Sequence, residues 1–326
     1  MSDISSNSEY GYVPALDDAA DSNDLFEFYD ADADAIVRSA DSVDFRIYTK
    51  VLSKASPVFR TMFANTSQAD TADGCPIVQV LEDARTLDNL FRLLYPLDHP
   101  PFSIDDLRAV MTAIDKYAIN SFPQTVDRLL LEAAKTDPES VYALTCRFPT
   151  QSVMKAAAKL TLRNPQALSP VSRTDIAHIT APQYSGLVTY QNKCKDAATL
   201  VCGSLDWIKG SLIPGAIHPG NAKLKQHPKR DCRMVDRVTG GAASASSDPT
   251  YKVPAWLLEY LDACILALRQ CPLGDTVMDP KLYLPSLQKA WSCSVCGERA
   301  HLQMLLFSSA LKNRVDDAIG QVPLDV

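Results

Sequence analysis

The chain has 326 residues, 46% hydrophobic, 22% charged and 8% aromatic, proportions that fit a globular protein and exclude a disordered or fibrous one. Its longest apolar run, Ala263 to Leu268, falls far short of the about 20 residues that cross a bilayer. The first residues lack the basic and apolar stretches of a secretory signal, so the expected compartment is cytoplasmic or nuclear.

Glycine is scarce, at 12 residues against 21 prolines, which argues against glycine-rich phosphate cradles. The G-x-G-x-x-G, G-x-x-x-x-G-K-[ST], H-E-x-x-H and G-x-S-x-G motifs are all absent. The nine cysteines are odd in number and follow no secretion signal, so they read as reduced thiols. Net charge is −7, but residues 1–34 hold ten acids and no Lys or Arg, leaving +3 for the rest. Residues 1–30 therefore read as an acidic, disordered, solvating tail. The remainder has no basic face that would follow a phosphate backbone, so neither nucleic acid nor membrane is an expected partner.

Beyond the tail, Ala33 to Arg38 and Val43 to Ile47 read as strands joined by the polar turn Ser39 to Ser42. Ser56-Pro57 opens a helix with a cap followed by proline at its first position. Thr66 to Gly74 is a polar loop, and Pro76 to Leu81 reads as a third strand. From Ala84 the period turns helical, with Leu87, Leu90, Phe91 and Leu94 on one face. Ser103 and Asp106 form a capping-box pattern before a helix that presents Leu107, Val110, Met111, Ile114 and Tyr117. A further helix carries Val126, Leu129 and Leu130, and Asp137-Pro138-Glu139 starts another. Lys155 to Leu162, Thr174 to His178 and Tyr184 to Asp196 continue the helical pattern. Residues 209–250 are rich in Gly, Pro, Ser and charge and read as a mobile insertion, after which helices resume near Val253-Pro254 and after Gly297.

A series of segments in order now resembles the BTB/POZ family. They are Asp34-Ala-Ile-Val, Phe45 to Leu52, Ser56-Pro-Val-Phe-Arg-Thr-Met-Phe63 and Leu90 to Tyr95, with Ile114-Asp-Lys-Tyr-Ala-Ile119 closing the series. Tyr48 stands where the family usually has His, and Thr49 where it has the following base, with Lys50 one place later. The resemblance implies an α+β fold: a small sheet capped by helices over residues 31–134, then a mostly α-helical region over 135–326. Tyr95-Pro96, the Trp256 helix and Cys293-x-x-Cys296 make the second half similar to fungal BTB/POZ-domain proteins. The family implies homodimerisation and recruitment of partner proteins, with Asp34 and Lys50 at the dimer interface and no enzymatic activity. A cullin-ligase adaptor role is the rival within that class, although Phe63 to Asp70 lacks the hydrophobe-x-Glu motif of such adaptors.

The sharpest chemical motif is Cys293-Ser-Val-Cys296-Gly, whose thiolates can share one zinc ion. Cys194 and Cys202 are the first choice for the remaining ligands, with His218, His227 and Cys232 as alternatives. Two other readings of the pair stand beside this one: buried core thiols with no cofactor, or a thiol oxidoreductase with Trp291 just upstream. Lys223, Lys225, Lys229, Arg230, Arg233 and Arg237 form a basic loop without interleaved aromatics, read as solvated. Trp207, Trp256 and Trp291 read as core, and His99 and His301 have no visible partners.

Overall fold

The computed structural model describes residues 32–65, 71–72, 74–95, 97, 101–119, 123–165, 177, 179–205, 207–208, 212–216, 232–238 and 250–325. The acidic tail and most of the basic loop lie outside these residues. The chain divides into two compact units, Met1–Val126 and Asp127–Val326.

In the first unit, β1 (Ala35–Arg38) pairs antiparallel with β2 (Asp44–Ile47) and parallel with β4 (Cys75–Gln79). The short β3 (Thr71–Ala72) completes the order β2-β1-β4-β3. β3 falls in the stretch the sequence marks as a polar loop. Parallel neighbours need a crossover, and here it contains α1 (Thr49–Ala55) and α2 (Pro57–Asn65). Alternate strand residues Ala35, Val37, Phe45, Ile47 and Val78 are buried in one core with Leu87, Leu90 and Phe91 of α3 (Ala84–Leu94). Phe45 and Phe91 meet edge to face at 5.5 Å.

Helix ends follow their sequence signals. The Ser56 hydroxyl accepts the Phe59 N–H at 3.0 Å and so caps α2. Asp83 accepts from the Thr86 N–H, and α4 (Ile104–Lys116) carries the full Ser103/Asp106 capping box. Arg85 grips Asp106 with two hydrogen bonds of 2.6 and 2.9 Å. Burial pushes the Asp106 carboxyl up, but Arg85 and Ser103 outweigh it and hold it at about 2.

The end of α4 ties the unit together. Tyr117 is buried and stacks on Phe59 with ring centroids 4.4 Å apart. Its backbone carbonyl accepts the Ser56 hydroxyl at 2.5 Å, its phenol donates to Glu82, and Lys116 pairs with Glu82 at 2.7 Å. One residue on, Ala118 takes φ 51°, a left-handed conformation that costs an L-residue roughly 1 kcal/mol and that glycine adopts freely. The Ile119 N–H then returns to the Ile114 carbonyl at 2.9 Å, closing a Schellman turn.

The second unit begins within α5 (Pro123–Ala133) and continues through α6 (Pro138–Arg147), capped by Asp137, and α7 (Gln151–Leu160). A 3-10 turn, Thr161–Arg163, ends α7 before Pro165. The long α8 (Ala181–Gly203) packs against α9 (Ala255–Gln270) and α11 (Ala300–Gly320), and α10 (Pro280–Trp291) packs on both α9 and α11. Gly274 lies against α11, where an added Cβ would sit 2.6 Å from the Lys312 carbonyl, so no larger residue fits without displacement. Tyr260 is anchored by its hydroxyl to the Val277 carbonyl at 2.7 Å.

Two expectations need correction here. The insertion read over 209–250 contains ordered chain, because β5 (Met234–Val238) pairs antiparallel with β6 (Thr250–Pro254) in five-residue register. Arg233, Asp236 and Arg237 interrupt the apolar pattern there and hide the strand. Trp291 is 52% exposed at the end of α10 and is not a core residue. The segment Thr174–His178, also read as helix, lies almost wholly outside the described residues.

Replacing Ala118 with glycine removes the left-handed strain without touching a contact. Ala118→Gly is expected to raise unfolding free energy by about 0.5–1 kcal/mol, the usual gain where glycine relieves positive φ minus its entropy cost. Urea unfolding of the variant against wild type measures it.

Candidate functional site

Two constellations carry the residues singled out in the sequence, one in each unit. In the first, Asp34 precedes β1 and reaches the start of α1. Its carboxylate accepts the Thr49 backbone N–H at 2.6 Å and the Thr49 hydroxyl at 2.7 Å. Lys50 is exposed on α1 and is not the group that Asp34 bonds. Thr49 stands where the family has its base, and the counterpart of Asp34 is the N-terminus of the helix that Thr49 opens. An anion is favoured there by the unsatisfied amides and the helix dipole. Helix α1 needs this help. It has seven residues, two of its first three are the β-branched Thr49 and Val51, and Tyr48 provides no side-chain cap. Beyond the Asp34 bond, α1 is fixed by the full burial of Leu52.

Helix α2 leaves apolar side chains in reach of solvent. Pro57, Val58, Thr61, Met62 and Asn65 line a shallow groove, while Phe59 on the opposite side is fully buried.

In the second unit, Cys293 and Cys296 sit in the turn between α10 and α11, and both are buried. The turn is tight: the Gly297 N–H bonds the Cys293 carbonyl at 2.8 Å and the Ala300 N–H bonds that of Cys296 at 2.9 Å. A Cβ on Gly297 would come within 3.1 Å of the Cys293 carbonyl oxygen, which explains the glycine. The third sulfur comes from Cys232, two residues before β5. Cys232 Sγ lies 3.8 Å from Cys296 Sγ, and all three sulfurs fall within 4.8 Å of one another. Ser-Val between the cysteines keeps them on one turn, and β5 brings the third thiol from 64 residues away.

The electrostatics of the three thiols differ. Burial pushes Cys232 up to about 11, and it pushes Cys296 up further, against the opposing pull of the Trp256 indole. Burial also raises Cys293, but backbone N–H groups of Cys296 and Val295 face its sulfur and, with the neighbouring thiols, bring it below its ordinary value. Trp256, in the first turn of α9, is buried, and its indole N–H makes no hydrogen bond of ordinary geometry; the groups it faces are the Cys232 and Cys296 sulfurs.

Cys194 and Cys202, the first-choice ligands, do not join this group. Both are buried on α8. Cys194 lies beside Tyr190 with its thiol pushed by burial to about 11, and Cys202 faces the Tyr260 and Cys264 region with its thiol pushed to about 12. Each is an apolar core thiol. Of the alternatives, Cys232 is the one brought to the pair, while His218 and His227 lie outside the described residues. The redox reading of Cys293 and Cys296 lacks an accessible sulfur, which thiol exchange requires, and the pair follows a helix where a thioredoxin-like site follows a strand. Arg233 and His301 are exposed, and His99 lies outside the described residues.

Residues 23–133 match the family model of the BTB/POZ domain. With the four-stranded mixed sheet, its crossover helices and the α3–α4 pair in place, the first unit is a BTB/POZ domain. That domain is a protein-interaction module and generally carries no enzymatic activity. No curated protein matches the chain at a significant level. Among the described residues, no helix is long and apolar enough to cross a membrane.

Removing the Asp34 carboxylate strips α1 of its cap. Asp34→Ala is expected to cost about 0.5–1 kcal/mol of stability and to speed amide exchange in residues 49–55. Asp34→Asn, which keeps an acceptor, should lose less. Hydrogen–deuterium exchange with peptide resolution checks both.

Proposed function

We propose that the protein is a non-enzymatic association module whose BTB/POZ domain joins two copies of the chain and whose helical unit recruits further proteins. The observation that supports this best is the half-buried α1–α2 surface. Val51, Val58 and Met62 stay partly open there, and Val58 and Met62 share a groove with Pro57, Thr61 and Asn65. The match to a family of interaction domains gives that surface its meaning. Two-fold pairing of one patch with itself is the commonest way in which soluble chains assemble.

In this reading Asp34 has a supporting part. It fixes α1, and with it the edge of the pairing surface, without forming a charged pocket with Lys50. The acidic segment before it works against pairing, because nine carboxylates on each of two chains repel until salt screens them. The cullin-adaptor role is the competing use of the same surface.

Light scattering of the full chain and of a chain lacking residues 1–28, each at low and about 0.5 M salt, tests assembly. A dimer is expected that tightens with salt or with the deletion. A monomer in all four conditions overturns homodimerisation, and capture of a cullin by the full chain in a pull-down would favour the adaptor role.

A further inference from the structure

We propose that Cys232, Cys293 and Cys296 form a three-thiolate site for a zinc ion in the second unit, a property beyond the association role and independent of it. Three features of the structure converge on this assignment.

The first is spacing. Four ligands at the corners of a tetrahedron with metal–sulfur bonds near 2.3 Å have sulfur–sulfur edges of about 3.8 Å. The Cys232–Cys296 separation is 3.8 Å, and the third sulfur lies within 4.8 Å of both. A disulfide would bring one pair to about 2 Å, and none of the nine cysteines forms one.

The second is the turn that holds the pair. Cys-x-x-Cys-Gly is closed by the Gly297 and Ala300 amides on the Cys293 and Cys296 carbonyls, at 2.8 and 2.9 Å, and this tight turn holds both sulfurs within 4.8 Å of each other and of Cys232.

The third is Trp256. Its indole N–H is buried, lacks an ordinary partner and faces the Cys232 and Cys296 sulfurs. A buried donor without an acceptor loses its hydration with nothing in return. Metal binding resolves this: three S–H protons leave to solvent, the ion takes their place, and the sulfurs become acceptors for the indole. No electron moves in the step. Trp256 would then orient the ligands without touching the ion, as outer partners do in metal sites.

The surroundings fit a structural ion. Gly215, at φ 65°, lets its loop approach so closely that a Cβ there would lie 3.3 Å from the Trp256 ring and 3.4 Å from Cys296 Sγ. The site therefore gathers that loop, the start of β5, the first turn of α9 and the α10–α11 turn. Among the described residues no fourth His, Cys, Asp or Glu joins the three, so one position of a tetrahedral ion is left for a further donor.

The test is elemental analysis of the full chain, purified under reducing conditions without chelator, with all transition metals counted. Near one zinc per chain is expected in wild type and in Cys194→Ser. Less than about a tenth of that is expected in Cys232→Ser and Cys296→Ser. Trp256→Phe should keep the ion but bind it at least about tenfold more weakly in a chelator competition. Because the serine variants could fail to fold, a second measurement uses wild type alone. Cobalt added to metal-free chain should give thiolate-to-cobalt charge-transfer absorption of an intensity set by three sulfurs. Wild type that holds no zinc and gives no such absorption overturns the site. So does another metal in its place, or loss of zinc in Cys194→Ser from chain that remains folded.

Discussion

A seven-residue helix that is too short to stand alone is held on the sheet by a carboxylate fifteen residues before it. The bond from Asp34 to Thr49 is local in space and small in energy, and together with the burial of Leu52 it places α1. It sets where the chain leaves β2 and enters α1. Ser56 then ends that turn, caps α2 and donates to the Tyr117 carbonyl, so the α1–α2 pair is tied to the end of α4 by a single hydroxyl. Tyr117 closes the loop of contacts by stacking on Phe59 and reaching Glu82. The half-open apolar surface of α2 is therefore presented on a rigid support, which an interface requires if it is not to lose its binding energy to ordering.

The second unit solves a different problem. Its helices bury ordinary apolar faces, with Leu257, Leu261 and Leu268 of α9 and Met304, Phe307 and Leu311 of α11 all closed to solvent. Among the described residues, three of its buried thiols gather at one turn. Four buried cysteines away from that turn, Cys146, Cys194, Cys202 and Cys264, behave as small hydrophobes. The three that gather there differ in having amide and indole donors aimed at their sulfurs. The contrast between Cys194, raised by burial beside Tyr190, and Cys293, brought down by backbone N–H groups, shows how strongly local donors decide what a buried thiol is able to do.

Much of this was legible in the sequence where the signal is local. The caps at Ser56, Ser103 and Asp137 and the strands around Val37, Phe45 and Val78 follow from nearest-neighbour chemistry and period. What was not legible depends on distant partners. Helix α1 has β-branched residues and no cap of its own, so it relies on Asp34 and on the burial of Leu52, both set by the fold. The β5–β6 hairpin joins strands twelve residues apart through a stretch whose composition reads as linker. Helix α10 was not singled out, and Trp291 at its end read as core because an aromatic's exposure depends on the packing of its neighbours. The Cys293/Cys296 pair announced itself by spacing. Its third member did not, because 64 residues separate Cys232 from Cys296 and only the fold brings them together.

In the proposed assembly, the α1–α2 face of the BTB/POZ domain joins two copies of the chain. Hydrogen–deuterium exchange of the full chain at low and high protein concentration tests it where it is made. Concentration-dependent slowing is expected over residues 49–65, with the buried strands and residues 255–320 unchanged. No such slowing in residues 49–65, or slowing confined to the second unit, would contradict the account.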